Sequence, residues 1–399
     1  MSILLRKFRG IPRTTGIARL AIVGFIVSFA SALISTIWAV YMDSFLKSIV
    51  LVGFISALLT LVSFIAYFLF IPLIEKKSKS KIFFFTLILF AVAYVLFAIN
   101  TKFYLFIILA FLITILMALR TTSFGIIVKD KSSEKQLSRN EGLMYTFMNI
   151  AWVIGPLIAG YISSSFGIGI IFTLSAIFIL IAALFFKLSK ISDANIKKKA
   201  DTNIIKNFTD FFKNKDRVYA YIVGGGVSLW WVLIYLFVPL YMIRNGLNIL
   251  WIGYFLFAIA IPLIIFEFFF SKLAGKIGFK KIFKIGFVIP AILAIACFFI
   301  SNIYVILALL VLASIGLAML EPTTEAYFFD ITKKQDESRF YGPYNTTIEV
   351  HNFLGKIISV GLLLILPFKY IFLLFGLLML FFVFISFITK EVIEKRKRK

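Results

Sequence analysis

Long apolar runs alternate with short charged breaks along this 399-residue chain. A helix needs roughly 20 apolar residues to cross the hydrocarbon of a bilayer. By that rule the pattern predicts twelve membrane-spanning helices, near 20–41, 49–73, 82–99, 103–127, 141–164, 167–187, 218–243, 249–271, 282–300, 303–328, 341–366 and 370–389. The fold class is all-α and integral to the membrane.

The pattern repeats at an offset of 200. Residues 21–42, AIVGFIVSFASALISTIWAVYM, and 221–242, YIVGGGVSLWWVLIYLFVPLYM, align without a gap and share nine of 22 positions, among them Gly24/Gly224, Ser28/Ser228, Tyr41/Tyr241 and Met42/Met242. The register persists through Leu73/Leu273, Lys76/Lys276, Lys81/Lys281, Asp130/Asp330, Arg139/Arg339, Gly142/Gly342 and Gly155/Gly355. Each half is therefore six helices running in the same sense, a parallel duplication that points to a transporter. The implied division is an N-terminal half over 1–188, a cytoplasmic linker over 189–217 and a C-terminal half over 218–399. In the linker Ile204, Ile205, Phe208, Phe211 and Phe212 recur at helical spacing, predicting a short amphipathic helix on the membrane surface.

Composition agrees with a life in lipid. Hydrophobic residues make up 62% of the chain and mean hydropathy is +1.04, above the range of water-soluble domains. A net charge of +24 would suit a nucleic-acid partner, but the basic residues sit between spans rather than along one face. They set topology instead. The side holding both termini carries 36 Lys and Arg, and the other carries four, Lys47, Lys102, Arg244 and Lys369. That bias places both termini in the cytoplasm of a multi-pass protein of the cell (plasma or inner) membrane. The basic N-terminus precedes an apolar run too long for a signal-peptide core, so the first span is expected to be retained. One cysteine, Cys297, and one histidine, His351, leave no disulfide and no metal cluster. No Gly-rich phosphate loop marks ATP as the energy source. No cofactor is expected, and a polytopic membrane enzyme is disfavoured for want of acid or His clusters at an interface.

After the second span the chain reads IPLIEKKSKSK (71–81), and after the eighth SKLAGKIGFKK (271–281). These segments resemble the loop motif of the major facilitator superfamily, in which a Gly is followed by an Asp with a basic neighbour, a second Gly and a basic pair. The second copy keeps Lys276, Gly278, Lys280 and Lys281 but has Ser271 and Gly275 at the first Gly and the Asp; the first keeps Glu75 and Lys76 but has Ser78 at the second Gly. The resemblance covers essentially the whole chain. It implies two halves that rock about a central site, with the helices equivalent to spans 1, 4, 5, 7, 10 and 11 lining the path. Gly155, Pro156 and Gly160 in WVIGPLIAGYI resemble the GPxxxG core of a helix-5 motif frequent among the family's exporters, although Ala151 and Tyr161 stand where that motif tends to have Gly. Close helix packing accounts for the same residues. In the loops, an acid can pair with a base on a neighbouring helix end in one conformation and release it in another. Glu75, Lys76, Asp130, Arg139, Lys276, Gly278, Asp330 and Arg339 form that candidate gate, with ordinary interface charges as the other reading.

A charge in mid-span costs at least a few kcal/mol and normally faces a cavity. In span 11, Asn345, Glu349, Asn352, Lys356 and Ser359 fall on one helical face. Span 5 answers with Tyr145, Asn149, Trp152 and Pro156, and span 10 with Ser314, Glu321 and Glu325. Span 1 lines up Ser28, Ser31, Ser35 and Trp38, and span 7 lines up Ser228, Trp231 and Tyr235. Arg120 and Glu321 stand one residue from strict equivalence in the repeat. A cation opposite such acids is a binding site, a proton relay or a static buried pair. His351 falls off the polar stripe and reads as a packing residue, and Glu267 as structural.

The functional expectation is a secondary active transporter of a small solute by alternating access. Trp38, Trp152, Trp230 and Trp231 suit an amphipathic cargo, and with the helix-5 residues they favour proton-coupled export by antiport. Arg120 and Lys356 carry the alternative, an importer or facilitator of a charged metabolite. The expected partners are a small-molecule substrate and membrane lipid, with the protein a monomer.

Overall fold

A computed structural model describes residues 15–75, 77–132, 137–189, 191 and 204–393. Among these residues every regular element is helical. A lipid-facing backbone must satisfy its own hydrogen bonds, and a helix does so within one segment. The first repeat supplies α1 (Thr15–Leu46), α2 (Ile49–Glu75), α3 (Lys79–Ile99), α4 (Phe103–Lys131), α5 (Leu137–Phe166) and α6 (Ile168–Leu188). The linker forms α7 (Ile204–Phe212). The second repeat begins with α8 (Lys215–Val232), continues through five residues of wider π-type helix (Leu233–Phe237) and ends that span in α9 (Val238–Arg244). Then come α10 (Ile249–Ile277), α11 (Phe279–Phe299), α12 (Ile303–Ile331), α13 (Glu337–Asn345), α14 (Thr347–Leu363) and α15 (Tyr370–Ile388). Polar side chains start several helices by accepting from freed backbone N–H groups: Ser78 from Lys81, Asn214 from Arg217, Asn248 from Trp251, and Asn302 from Tyr304 and Val305. Gly278 joins α10 to α11 at φ +90°, a conformation that a side chain disfavours.

Eleven helices among the described residues are long and apolar enough to cross a membrane. The predicted eleventh span is the exception, because it is broken. Pro343 lacks a backbone donor, and a turn at Thr346 separates α13 from the 17-residue α14. The polar stripe drawn from Asn345 to Ser359 is therefore interrupted: Asn345 belongs to α13, and the face on α14 starts at Glu349.

Contacts group the chain into two compact units that cut across the sequence repeat. Unit 1 comprises Met1–Ile34, Ile65–Gly155 and Phe166–Lys197; unit 2 comprises Ser35–Phe64, Pro156–Ser165 and Lys198–Lys399. In unit 1, α3 packs on α4 and α6, with Phe97 stacked 5.2 Å from Phe172 and Phe83 edge-on at 4.9 Å to Phe186. In unit 2, α11 packs on α12 and α15, α10 on α12, and α8 on α14. Phe287 stacks 5.2 Å from Phe382 at the α11–α15 contact.

The linker forms the expected short helix, and part of its apolar stripe packs into protein. Phe211 is fully buried in protein, with its ring near Tyr221, Phe328 and Phe340 at 6.1, 6.3 and 6.1 Å. Arg217 lies 4.0 Å over the Phe340 ring and donates to the α7 carbonyls of Phe211 and Asp210 at 3.1 and 2.6 Å, closing the helix C-terminus with a cation. Arg339 donates to the Asp210 carboxylate and, at 2.8 Å, to Asn207. Only part of the apolar stripe, Ile205 and Phe212, remains exposed.

Truncation of the buried ring, Phe211→Ala, is expected to cost about 3 kcal/mol, read as a lower melting temperature of the purified protein. The Lys213 and Arg339 side chains beside Asp210 hold its carboxyl below the ordinary carboxylate range. A depressed carboxyl contributes stability above its unfolded pKa that is lost as pH falls through the folded value. Hydrogen exchange over 204–212 should therefore quicken below about pH 4, and Arg339→Ala should produce the same quickening at neutral pH. Unchanged exchange under both conditions would show that the clasp does not hold α7.

Candidate functional site

The second repeat holds a carboxyl pair inside the membrane. Glu321 on α12 accepts a 2.8 Å hydrogen bond from the Trp231 indole on α8, and its carboxyl neighbours that of Glu267 on α10. Ionised carboxylates only accept, so two neighbouring carboxyls can bond to each other only when one carries a proton. Trp231 and Tyr235, one helical turn apart with rings 5.4 Å apart, are the partly exposed positions in an otherwise buried stretch over 223–242. The expectation that Glu267 is merely structural gives way here. Sequence spacing does not reveal that α10 turns it onto α12, but a signal existed: Glu267 is the sole acid in its span, and a lone ionisable residue there marks function by default.

The first repeat holds the opposite charge at the related place. Tyr67 and Glu267 are 200 positions apart, and Arg120 stands one residue from the counterpart of Glu321. Arg120 on α4 is buried, lies 4.8 Å over the Phe90 ring of α3, and feels the hydroxyls of Tyr94 and Tyr67. Its Nη1 has no hydrogen-bond partner. Related places in the two repeats thus carry a cation on α4 and two acids on α10 and α12.

A third cluster joins segments of the first repeat to the second within unit 2. Lys356 on α14 donates to Thr60 Oγ1 at 2.6 Å and to the Ser56 carbonyl at 3.3 Å on α2. Two stripe positions away, Glu349 accepts from Ser63 at 3.3 Å. Lys356, a candidate for anion binding, thus gives two of its three donors to α2. Arg244 at the end of α9 donates to Asp43 of α1 at 2.6 Å. Gly160 of α5 meets Gly253 of α10 so closely that a Cβ on Gly253 would lie 2.6 Å from the Pro156 carbonyl oxygen. Gly155, by contrast, packs inside unit 1, where a Cβ would lie 2.6 Å from that of Ala32. Sequence reasoning counted Arg244 only as a topology charge and passed over Asp43.

The remaining candidates scatter. Ser31, Ser314 and Ser359 are buried and donate to Val27, Val311 and Gly355 carbonyls of their own helices. Ser228 is buried, Ser35, Trp38, Trp152 and Asn352 are half-buried, and Asn149, Glu325 and Asn345 are exposed. His351 packs as its offset predicts, buried with Nδ1 3.0 Å from Thr347 Oγ1. Among the loop residues, Asp130 pairs with Lys79 at 3.7 Å, and Arg339 is held by α7. Lys276 and Asp330 are exposed. Lys76 and the side chains of Glu75, Arg139 and Tyr145 lie outside the described residues. No group of three or more metal-binding side chains forms among the described residues.

If the α2–α14 and α1–α9 contacts close the outer side, Arg244→Ala should loosen them. In a Cys297→Ala background, Ser56→Cys should then react several-fold faster with a membrane-impermeant thiol reagent added outside. An unchanged labelling rate would show that the Asp43–Arg244 pair does not guard this seam.

Comparison with known proteins places this geometry in a family. The Major Facilitator Superfamily model matches residues 20–266 and 252–399. No curated protein matches significantly. Solved structures share the fold at low identity. A POT family transporter in complex with a thioalcohol-conjugated peptide has TM-score 0.76 at 12% identity, over 94% of this chain and 95% of that one. A POT family transporter with 5-aminolevulinic acid has TM-score 0.76 at 13% identity, covering 94% and 95%. A bacterial homolog of the human lysosomal transporter Spinster, inward-facing and unoccupied, has TM-score 0.76 at 12% identity, covering 95% and 97%. With its duplicated six-helix halves and a family match spanning nearly its whole length, the chain belongs to the Major Facilitator Superfamily.

Proposed function

We propose that this multi-pass membrane protein is a proton-coupled secondary transporter that exports a small solute by alternating access. Family membership supports secondary transport. Coupling to protons rests on one observation, the neighbouring carboxyls of Glu321 and Glu267 inside the membrane. Such a pair is eased by a single proton shared between the two carboxyls. When the proton leaves, two carboxylates face each other in a medium that hydrates neither, and the arrangement becomes costly. A conformational change that wets the pair on one side, and dries it on the other, would load and unload that proton directionally. Trp231 ties the pair to the partly exposed face of α8, where a cargo and the proton site would meet.

The outer seam supports the rocking half of the reading. Lys356 with Thr60, Glu349 with Ser63, and Arg244 with Asp43 each join one repeat to the other. Such contacts exist in one state and must part in the next. Export rather than import is favoured by the Gly155, Pro156 and Gly160 pattern, whose last glycine meets the second repeat at Gly253.

The test uses the full chain in vesicles containing a trapped pH dye, with a panel of solutes assayed by mass spectrometry. Solute movement should be accompanied by opposite proton movement, and a pH gradient should drive accumulation. Glu321→Gln and Glu267→Gln should each reduce pH-driven accumulation at least tenfold, while solute exchange at equal pH persists. Transport in the wild type without proton movement, or undiminished pH-driven transport in both variants, would sink the proposal.

A further inference from the structure

Two cations lie within the spans, and only one of them is satisfied. Lys356 spends its ammonium on Thr60 and Ser56. Arg120 is 7% exposed, and Nη1 finds no acceptor. The Phe90 ring face at 4.8 Å attracts the positive charge but offers no lone pair in the guanidinium plane. The groups that act on it electrostatically are the hydroxyls of Tyr94 and Tyr67, which are neutral at physiological pH. Arginine has no escape by losing its proton, since a guanidinium stays charged in proteins. A permanent charge with an unpartnered Nη1, lying over an aromatic ring, is a recognition element without its counterpart.

We infer that Arg120 binds an organic carboxylate, and that the cargo is a monoanion with an apolar body. The carboxylate matches the planar donor edge of the guanidinium, which it can engage through two parallel hydrogen bonds. One cation calls for one negative charge. The Phe90 and Tyr94 rings suit an apolar body better than a strongly hydrated phosphate. The inference rests on the transporter reading only in naming the carboxylate as part of the cargo; binding itself needs no gradient.

The test is equilibrium thermal unfolding of the purified full chain with benzoate as the probe. Benzyl alcohol, sodium chloride and inorganic phosphate at matched ionic strength are the controls. Benzoate should raise the melting temperature by several degrees, and benzyl alcohol should not. Arg120→Lys should weaken the benzoate response at least tenfold. Arg120→Met should abolish it and, without ligand, melt at or above the wild-type temperature, because it removes an unpaired buried charge. The benzoate response is read in detergent with no gradient, so loss of proton coupling and loss of anion binding are separable. Three results would overturn the inference: no benzoate effect on the wild type, a full effect on Arg120→Met, or stabilisation by chloride or phosphate alone, which would assign a free inorganic ion.

Discussion

A charged side chain inside a hydrocarbon slab cannot be hydrated there, and the rest of this structure is arranged around that constraint. Each such residue must be neutralised, paired or turned to a wet surface. Three answers coexist in one chain. Glu321 takes the Trp231 indole and lies beside Glu267. Lys356 and Glu349 reach across to hydroxyls and a carbonyl on α2. Arg120 takes a ring face and keeps one donor open. The first sets two acids side by side, the second fastens two helices, and the third leaves a donor open. All three sit on helices related by the same duplication, so a single ancestral scaffold has been given distinct electrostatic roles by few substitutions.

The fastening contacts also explain why packing units and sequence repeats differ. Segments 35–64 and 156–165 belong to the first repeat by sequence and to the second by contact. Their attachment combines polar bonds with the Gly160–Gly253 approach, where backbone meets backbone. In lipid the hydrophobic effect does not drive helices together, so close approach of small residues and interhelical hydrogen bonds carry the association. Both kinds of contact are short-ranged. They hold firmly when seated and contribute little once helices separate, which suits a joint that must open as a unit.

The spans and the duplication were legible in the sequence because each is written in local composition. Hydropathy marks a span without reference to its neighbours. What spacing could not reveal was which neighbour a polar residue meets. The stripe through Asn345 assumed an unbroken helix, and Pro343 with the turn at Thr346 breaks it. Lys356 was read as facing a cavity, and it faces α2. Glu267 looked peripheral, and α10 aims it at Glu321. The linker stripe was read as lipid-facing, and Phe211 buries itself in protein. An amphipathic pattern specifies an apolar partner but not whether that partner is lipid or another helix.

The wide turn at Leu233–Phe237 bears on the duplicated segment itself. Val238 N–H bonds back five residues to Leu233, whereas α1 runs as an uninterrupted α-helix through the matching positions. One additional residue in a turn advances everything after it by about 100°. The two copies therefore align letter for letter while their far ends are out of phase in space. Tyr41 packs against Phe45 and Trp38, and its twin Tyr241 packs against Phe368 and Phe372. Internal symmetry here is a property of the text that ends partway along the seventh span. A helix whose ladder already mixes two spacings can trade one for the other by rotating its end about its own axis. Motion in this half of the protein then need not mirror motion in the other.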